Sequence, residues 1–157
     1  LINKVISGGQ TGADLGGLLA AERVGIATGG LAPKGYYTEK GNQPILGTRF
    51  GLTEDVSPGY THRTGVNVRN SDVTLILATE PKSYGTVQTI RYCDEYGRRY
   101  KLINPFIEDA SVGVTFLRQH RPNVVNIAGN RETVSPGLTK ITRDWLINCF
   151  TTIIDGR

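Results

Sequence analysis

Short apolar runs alternate along the chain with stretches whose apolar residues fall at helical spacing. The run Asn3–Ser7 leads through Gly8-Gly9-Gln10-Thr11-Gly12-Ala13-Asp14 into residues 11–24, where Leu15, Leu18, Leu19 and Ala21–Val24 recur at i, i+3 and i+4 and Gly25 supplies the stop. A second strand is expected at Ile26–Thr28. From Gly29 to Asn70 the periodicity is lost, apart from Ser57-Pro58, an N-cap and first-turn pair that predicts a short helix ending near Val68. The run Val73–Ala78 is continuously apolar, the pattern of a strand buried on both faces of a parallel sheet. Helix Gly85–Tyr96, strand Tyr100–Ile103, helix Ala110–His120 and strand Val124–Ala128 follow. Leu138, Ile141, Trp145, Leu146, Cys149 and Ile153 then mark a long last helix after Pro136-Gly137. Parallel neighbours need crossovers, so the alternation predicts an α/β chain: a Rossmann-like, open, mainly parallel sheet with helices on both faces.

Length and composition narrow the function. At 157 residues, with 38% hydrophobic and 20% charged positions, the chain is expected to form a single Rossmann-like domain over 1–157 and can bury a core. No apolar run approaches the roughly 18 residues of a membrane span. The net charge of +4 comes from scattered rather than clustered Lys and Arg, which suits an anionic small molecule better than nucleic acid. Cys93 and Cys149 both fall in helical stretches, where reduced, buried thiols are the expected role, and a reducing, cytoplasmic setting follows.

In an open α/β sheet, ligands bind beyond the carboxyl ends of the strands, so the turns after strands carry the candidate chemistry. Gly8, Gly9, Gln10 and Thr11 open a helix N-terminus that could hold a phosphate, or simply make a tight, well-packed turn. Ser83, Tyr84, Gly85 and Thr86 do the same after the third strand, with Lys82 nearby, and here too a hydroxyl can be a ligand donor or a helix cap. Asn130, Arg131 and Glu132 follow the last strand, where Arg131 can grip an anion or pair with an acidic neighbour. Within 29–70, Lys34 stands in a Pro33-Lys34-Gly35 turn, and Tyr36, Tyr37, Tyr60, His62, Arg63 and Arg69 offer flat and cationic groups to a heterocycle. Ser7 occupies the first glycine position of a dinucleotide fingerprint and no G-K-[ST] follows, so neither NAD nor a P-loop is indicated. His and Cys spacing signals no protein-ligated metal, and neither a nucleophile elbow nor a carboxylate pair is present.

Taken in order, Ile6–Asp14, Pro33-Lys34-Gly35, Asn67–Asp72 with Thr74–Leu77, and Asn126–Glu132 with Pro136-Gly137 resemble the molybdenum cofactor carrier proteins of the SLOG superfamily. The resemblance implies a non-enzymatic protein that binds, stores and delivers molybdenum cofactor, assembled as a homotetramer, with molybdenum-enzyme apo-proteins as recipients. It places Gly8 to Thr11, Lys34, Ser83 to Thr86 and Asn130 to Glu132 around the cofactor. It leaves no catalytic residue and no metal ligand of the protein's own. The alternative is a sensor or phosphoribohydrolase-like enzyme for a nucleotide-like phosphorylated ligand. The related phosphoribohydrolases carry P-G-G-x-G-T-x-x-E at the second turn, where this chain keeps Gly85-Thr86 but has Thr89 in place of the Glu.

Overall fold

The structure, a computed structural model, describes residues 1–156. In chain order the elements are β1 (Lys4–Ile6), α1 (Ala13–Val24), β2 (Ala27–Gly29), β3 (Leu31–Ala32), a 3-10 turn at Lys34–Tyr36, β4 (Tyr37–Thr38), β5 (Gly41–Asn42), α2 (Ile45–Phe50), β6 (Thr53–Glu54), α3 (Tyr60–Arg69), β7 (Val73–Leu77), α4 (Tyr84–Tyr96), β8 (Arg99–Ile103), α5 (Ser111–His120), β9 (Val124–Gly129) and α6 (Leu138–Ile154). Five strands form one sheet in the order β2-β1-β9-β7-β8, and every pairing is parallel. The expected α/β Rossmann-like arrangement is therefore the one observed.

Alternation along the strands sorts side chains to two faces. Val5, Val73, Leu75, Leu77, Val125 and Ile127 meet Ala20, Phe116, Leu117, Leu138, Trp145, Leu146 and Phe150 in the main core, so α1, α5 and α6 cover one side. Gly17 lets α1 lie directly on Ile127, where an added Cβ would fall 2.7 Å from its Cβ. The other side carries Thr74 and Asn126, hydrogen-bonded at 3.2 Å, and is covered by α4, which packs on β8 and β9. Both cysteines are free and buried, and burial pushes Cys93 up to about 11 and Cys149 up to about 12.

The stretch that lacks periodicity is built from small pieces. Strands of two residues, a 3-10 turn and the six-residue α2 wrap the outer flank of α1, and Leu18, Ala32, Leu46, Phe50 and Leu52 form a second, smaller core there. The helix expected from Ser57-Pro58 begins two residues later, at Tyr60. Ser57 spends its hydroxyl on a local turn, accepting the Gly59 N–H at 3.3 Å, instead of capping the helix.

Candidate functional site

β1 sends its connection toward β2, whereas β7 sends its connection to β8 on the far side, and β9 lies between them. That divergence opens a crevice at the carboxyl ends of β1, β9 and β7. A cavity of about 300 Å³ occupies it, within the range of small-molecule sites. All three glycine-rich turns reach it: Gly8 and Gln10 from the first, Ser83, Tyr84 and Gly85 from the second, Asn130 and Arg131 from the third. Helix α3 closes the opposite wall. Tyr60, Arg63, Thr64 and Asn67 recur at i, i+3, i+4 and i+7 and all face the cavity, a polar stripe on the inward side of a helix. Asn67 fixes that helix by bonding both the N–H and the carbonyl of Leu31, at 2.9 and 3.0 Å.

The two helix N-termini that the turns open are not equivalent. At α1 the backbone donors are taken by protein: Gln10 N–H by Asp14 at 3.2 Å, Thr11 N–H by the Gln10 side chain at 3.0 Å, Gly12 N–H by Thr139 at 2.8 Å and Ala13 N–H by the Asn130 carbonyl at 3.0 Å. The anion site that the first turn suggests is thus filled from within the fold. At α4 the first turn has no side-chain cap, and among the described residues no hydrogen bond uses the N–H of Tyr84, Gly85 or Thr86. Tyr84 and Gly85 lie on the cavity wall, so the positive end of a 13-residue helix lies at the cavity.

Several expected ligand residues act on the loops themselves. Gly9 turns with φ of 78° against Leu46 and Leu52 of the smaller core. Thr11 donates its hydroxyl to Glu39, and the same oxygen accepts the Glu132 N–H at 3.1 Å. Glu132 accepts the N–H groups of Gly137 and Thr139 and so caps α6; burial pushes its carboxyl up, but these bonds outweigh it and hold it below the usual range. Thr86 is fully buried and accepts from Ser83 at 3.0 Å. Lys34 is exposed on the 3-10 turn, off the cavity wall. Asn130 lines the cavity while tying the second turn in place: its carbonyl accepts from Thr79 and Glu80 N–H, each at 2.9 Å, and its amide donates to the Glu80 carbonyl, Ser83 and Thr86.

Two ion pairs organise the charges. Arg131, half-exposed at the rim, lies 3.6 Å from Glu39, a carboxylate that also holds Thr133 through its hydroxyl at 2.6 Å and its N–H at 3.2 Å. Burial pushes Glu39 up, but the bonds from Thr11 and Thr133 hold it below the usual carboxylate range. Deeper in, Arg63 donates to Asp14 at 3.0 Å. Burial drives the Asp14 carboxyl above its ordinary value, and the Arg63 guanidinium opposes that rise. The place of Asp14 in the cavity wall was not legible in the sequence, where it reads as an ordinary acidic residue in a helix first turn. Among the described residues no cluster of three or more His, Cys, Asp or Glu could hold a metal ion, and no helix is long and apolar enough to cross a membrane.

No protein of curated function matches the chain. Its fold is similar to the crystal structure of a "Putative molybdenum carrier protein" from Syntrophus aciditrophicus SB, with a TM-score of 0.85 and 33% identity over 95% of this chain and 94% of that one. A family model matches residues 5–150, and with it the chain belongs to the circularly permutated YpsA SLOG family.

Proposed function

We propose that the cavity binds molybdenum cofactor and that the protein is a non-enzymatic carrier that stores the cofactor, protects it and passes it to apo-enzymes. The observation that carries this reading is the convergence of an uncapped α4 N-terminus with Arg63 and Arg131 on one cavity at the sheet's point of divergence. The cofactor is a flat pterin with a phosphate at one end and an oxo-metal group at the other, and such a guest suits backbone donors and guanidinium groups set around one crevice. The name given to the structural neighbour supports the same cargo. Binding without turnover is favoured at the second turn, where Thr89 stands in the place of a catalytic carboxylate and donates its hydroxyl to the Gly85 carbonyl at 2.9 Å. Enclosure in the crevice would keep water and oxidants from the dithiolene. A cytoplasmic homotetramer is the assembly that accompanies this reading.

The test is production of the protein in a host that makes the cofactor, followed by gel filtration. Molybdenum and the fluorescent oxidised pterin are expected to travel with the protein at about one equivalent per chain at a tight site. Protein that emerges free of both, or that cleaves a nucleoside monophosphate, overturns the carrier reading.

A further inference from the structure

Arg63 is the most deeply placed cation of the cavity, and its bonding is incomplete. Its side chain is only 11% exposed, yet the one hydrogen bond it makes among the described residues runs from Nη1 to Asp14. Its Nε is buried without any acceptor. A buried donor left unpaired costs free energy, and in a native structure it calls for a partner that the chain itself does not provide. The surroundings hold the guanidinium where it is. Gly8 serves as its seat, since a Cβ there would overlap Nη1, and the Tyr60 ring lies 5.4 Å from the guanidinium carbon. With Nη1 engaged by Asp14, the edge formed by Nε–H and Nη2–H stays without a protein acceptor. That edge is one of the two on which a guanidinium receives two oxygens of one oxyanion in parallel.

We propose that Arg63 is the specificity-determining residue of the cavity, recognising an oxyanion group of the ligand side-on through Nε–H and Nη2–H. The inference rests on the cavity being the ligand site, as proposed above, and adds which residue selects for negative charge. Other cations of the region are poorer candidates: Arg131 is 47% exposed and already leans on Glu39, while Lys34 and Lys82 lie at the surface away from the cavity wall. With Asp14 set against Arg63 at 3.0 Å, discrimination arises from two directed donors rather than from a general positive field. A lysine, with a single ammonium, cannot reproduce this.

Calorimetric titration of molybdate and of inorganic phosphate into the wild-type chain, R63K, R131A and the double variant R63Q/D14N tests the proposal, with melting temperatures checking the fold. R63K is expected to bind about 30-fold more weakly and R131A within about threefold of wild type. R63Q/D14N leaves no buried charge unpaired, so it is expected to melt near the wild-type temperature and yet to lose binding. Preference for phosphate would assign the phosphate end of a ligand to Arg63 and preference for molybdate the oxo-metal end; both support the assignment. R63K binding within about threefold of wild type, or a wild-type chain that takes up neither anion at about 10 mM, overturns it. Cofactor retention separates the two readings. Full retention by wild type and R63K alike removes the role of Arg63 and leaves the carrier standing, whereas anion binding lost in R63K from a protein that never retains cofactor does the reverse.

Discussion

Single residues at this site divide into those that face the cavity and those that hold the turns in place. Gly12 belongs to the second kind: its φ is 82°, and a Cβ would overlap the Asn130 carbonyl on the third turn. Gly12→Ala is therefore expected to cost more than about 2 kcal/mol, read as a drop in the urea midpoint, since both the backbone conformation and the contact forbid a side chain. Thr11 is the sharper case. Its place beside Gly9 and Gly12 makes it look like a phosphate ligand, but its hydroxyl is committed to Glu39 and to the Glu132 N–H. Nothing local in the sequence could show this, because the partners lie 28 and 121 positions away. Thr11→Ala is expected to lower the melting temperature by several degrees, for a loss of about 1–3 kcal/mol, and Thr11→Ser to restore most of it. A Thr11→Ala protein that melts like wild type would mean that the link is dispensable.

Among the elements, legibility followed length. Strands buried on both faces and most of the longer helices announce themselves by periodicity, and β7, α4, β9 and α6 lie within a residue or two of the expected bounds; the ten-residue α3, polar along most of its length, is marked only by its Ser57-Pro58 start. The pieces between Leu31 and Glu54 do not, because a two-residue strand has no period to read, whether it pairs locally, as Thr38 does with Gly41, or with a partner more than twenty positions away, as Leu31 does with Thr53. The site was legible in the same degree: strand order implies that the turns meet, whereas the different states of the α1 and α4 N-termini depend on which side chains arrive there. Asn130 decides the second of these. Its amide and carbonyl make five contacts that pin Thr79, Glu80, Ser83 and Thr86, and so hold the first turn of α4 uncapped toward the cavity. Asn130→Ala leaves the Thr79 and Glu80 N–H groups without their acceptor, and a cost of about 2–4 kcal/mol is expected. Hydrogen exchange should localise it, with residues 79–86 losing protection while β1 and α6 keep theirs; uniform loss across the sheet would contradict a local role.

At the scale of the whole molecule the site is a meeting of distant segments, and carboxylates do much of the joining. Glu39 reaches from the β4–β5 hairpin to the first and third turns, Glu132 ties the third turn to the start of α6, and Asp55 holds His62 at 2.6 Å beside α3. Burial pushes each of the three up, but the hydrogen bonds each receives outweigh it, so their folded-state pKa values lie below the unfolded ones. Such groups bind protons more weakly in the folded chain than in the unfolded one. Their stabilisation is complete above the unfolded carboxylate range of about 4 and is lost as pH falls through the folded values. Asp14 has the opposite sign, because its raised pKa means that the folded chain takes up its proton first, and stability from that group falls as pH rises through the folded value. Urea midpoints taken between about pH 7 and pH 2.5 are accordingly expected to hold or rise slightly on first acidification and then to drop below about pH 4. Glu39→Gln replaces an acceptor oxygen by an amide that opposes the Thr133 donors, so it should lower the midpoint at neutral pH and flatten the acid limb. An acid limb as steep in Glu39→Gln as in wild type would show that the hairpin carboxylate does not couple the turns, and that the rim of the cavity is assembled by backbone contacts such as that between Gly12 and Asn130 alone.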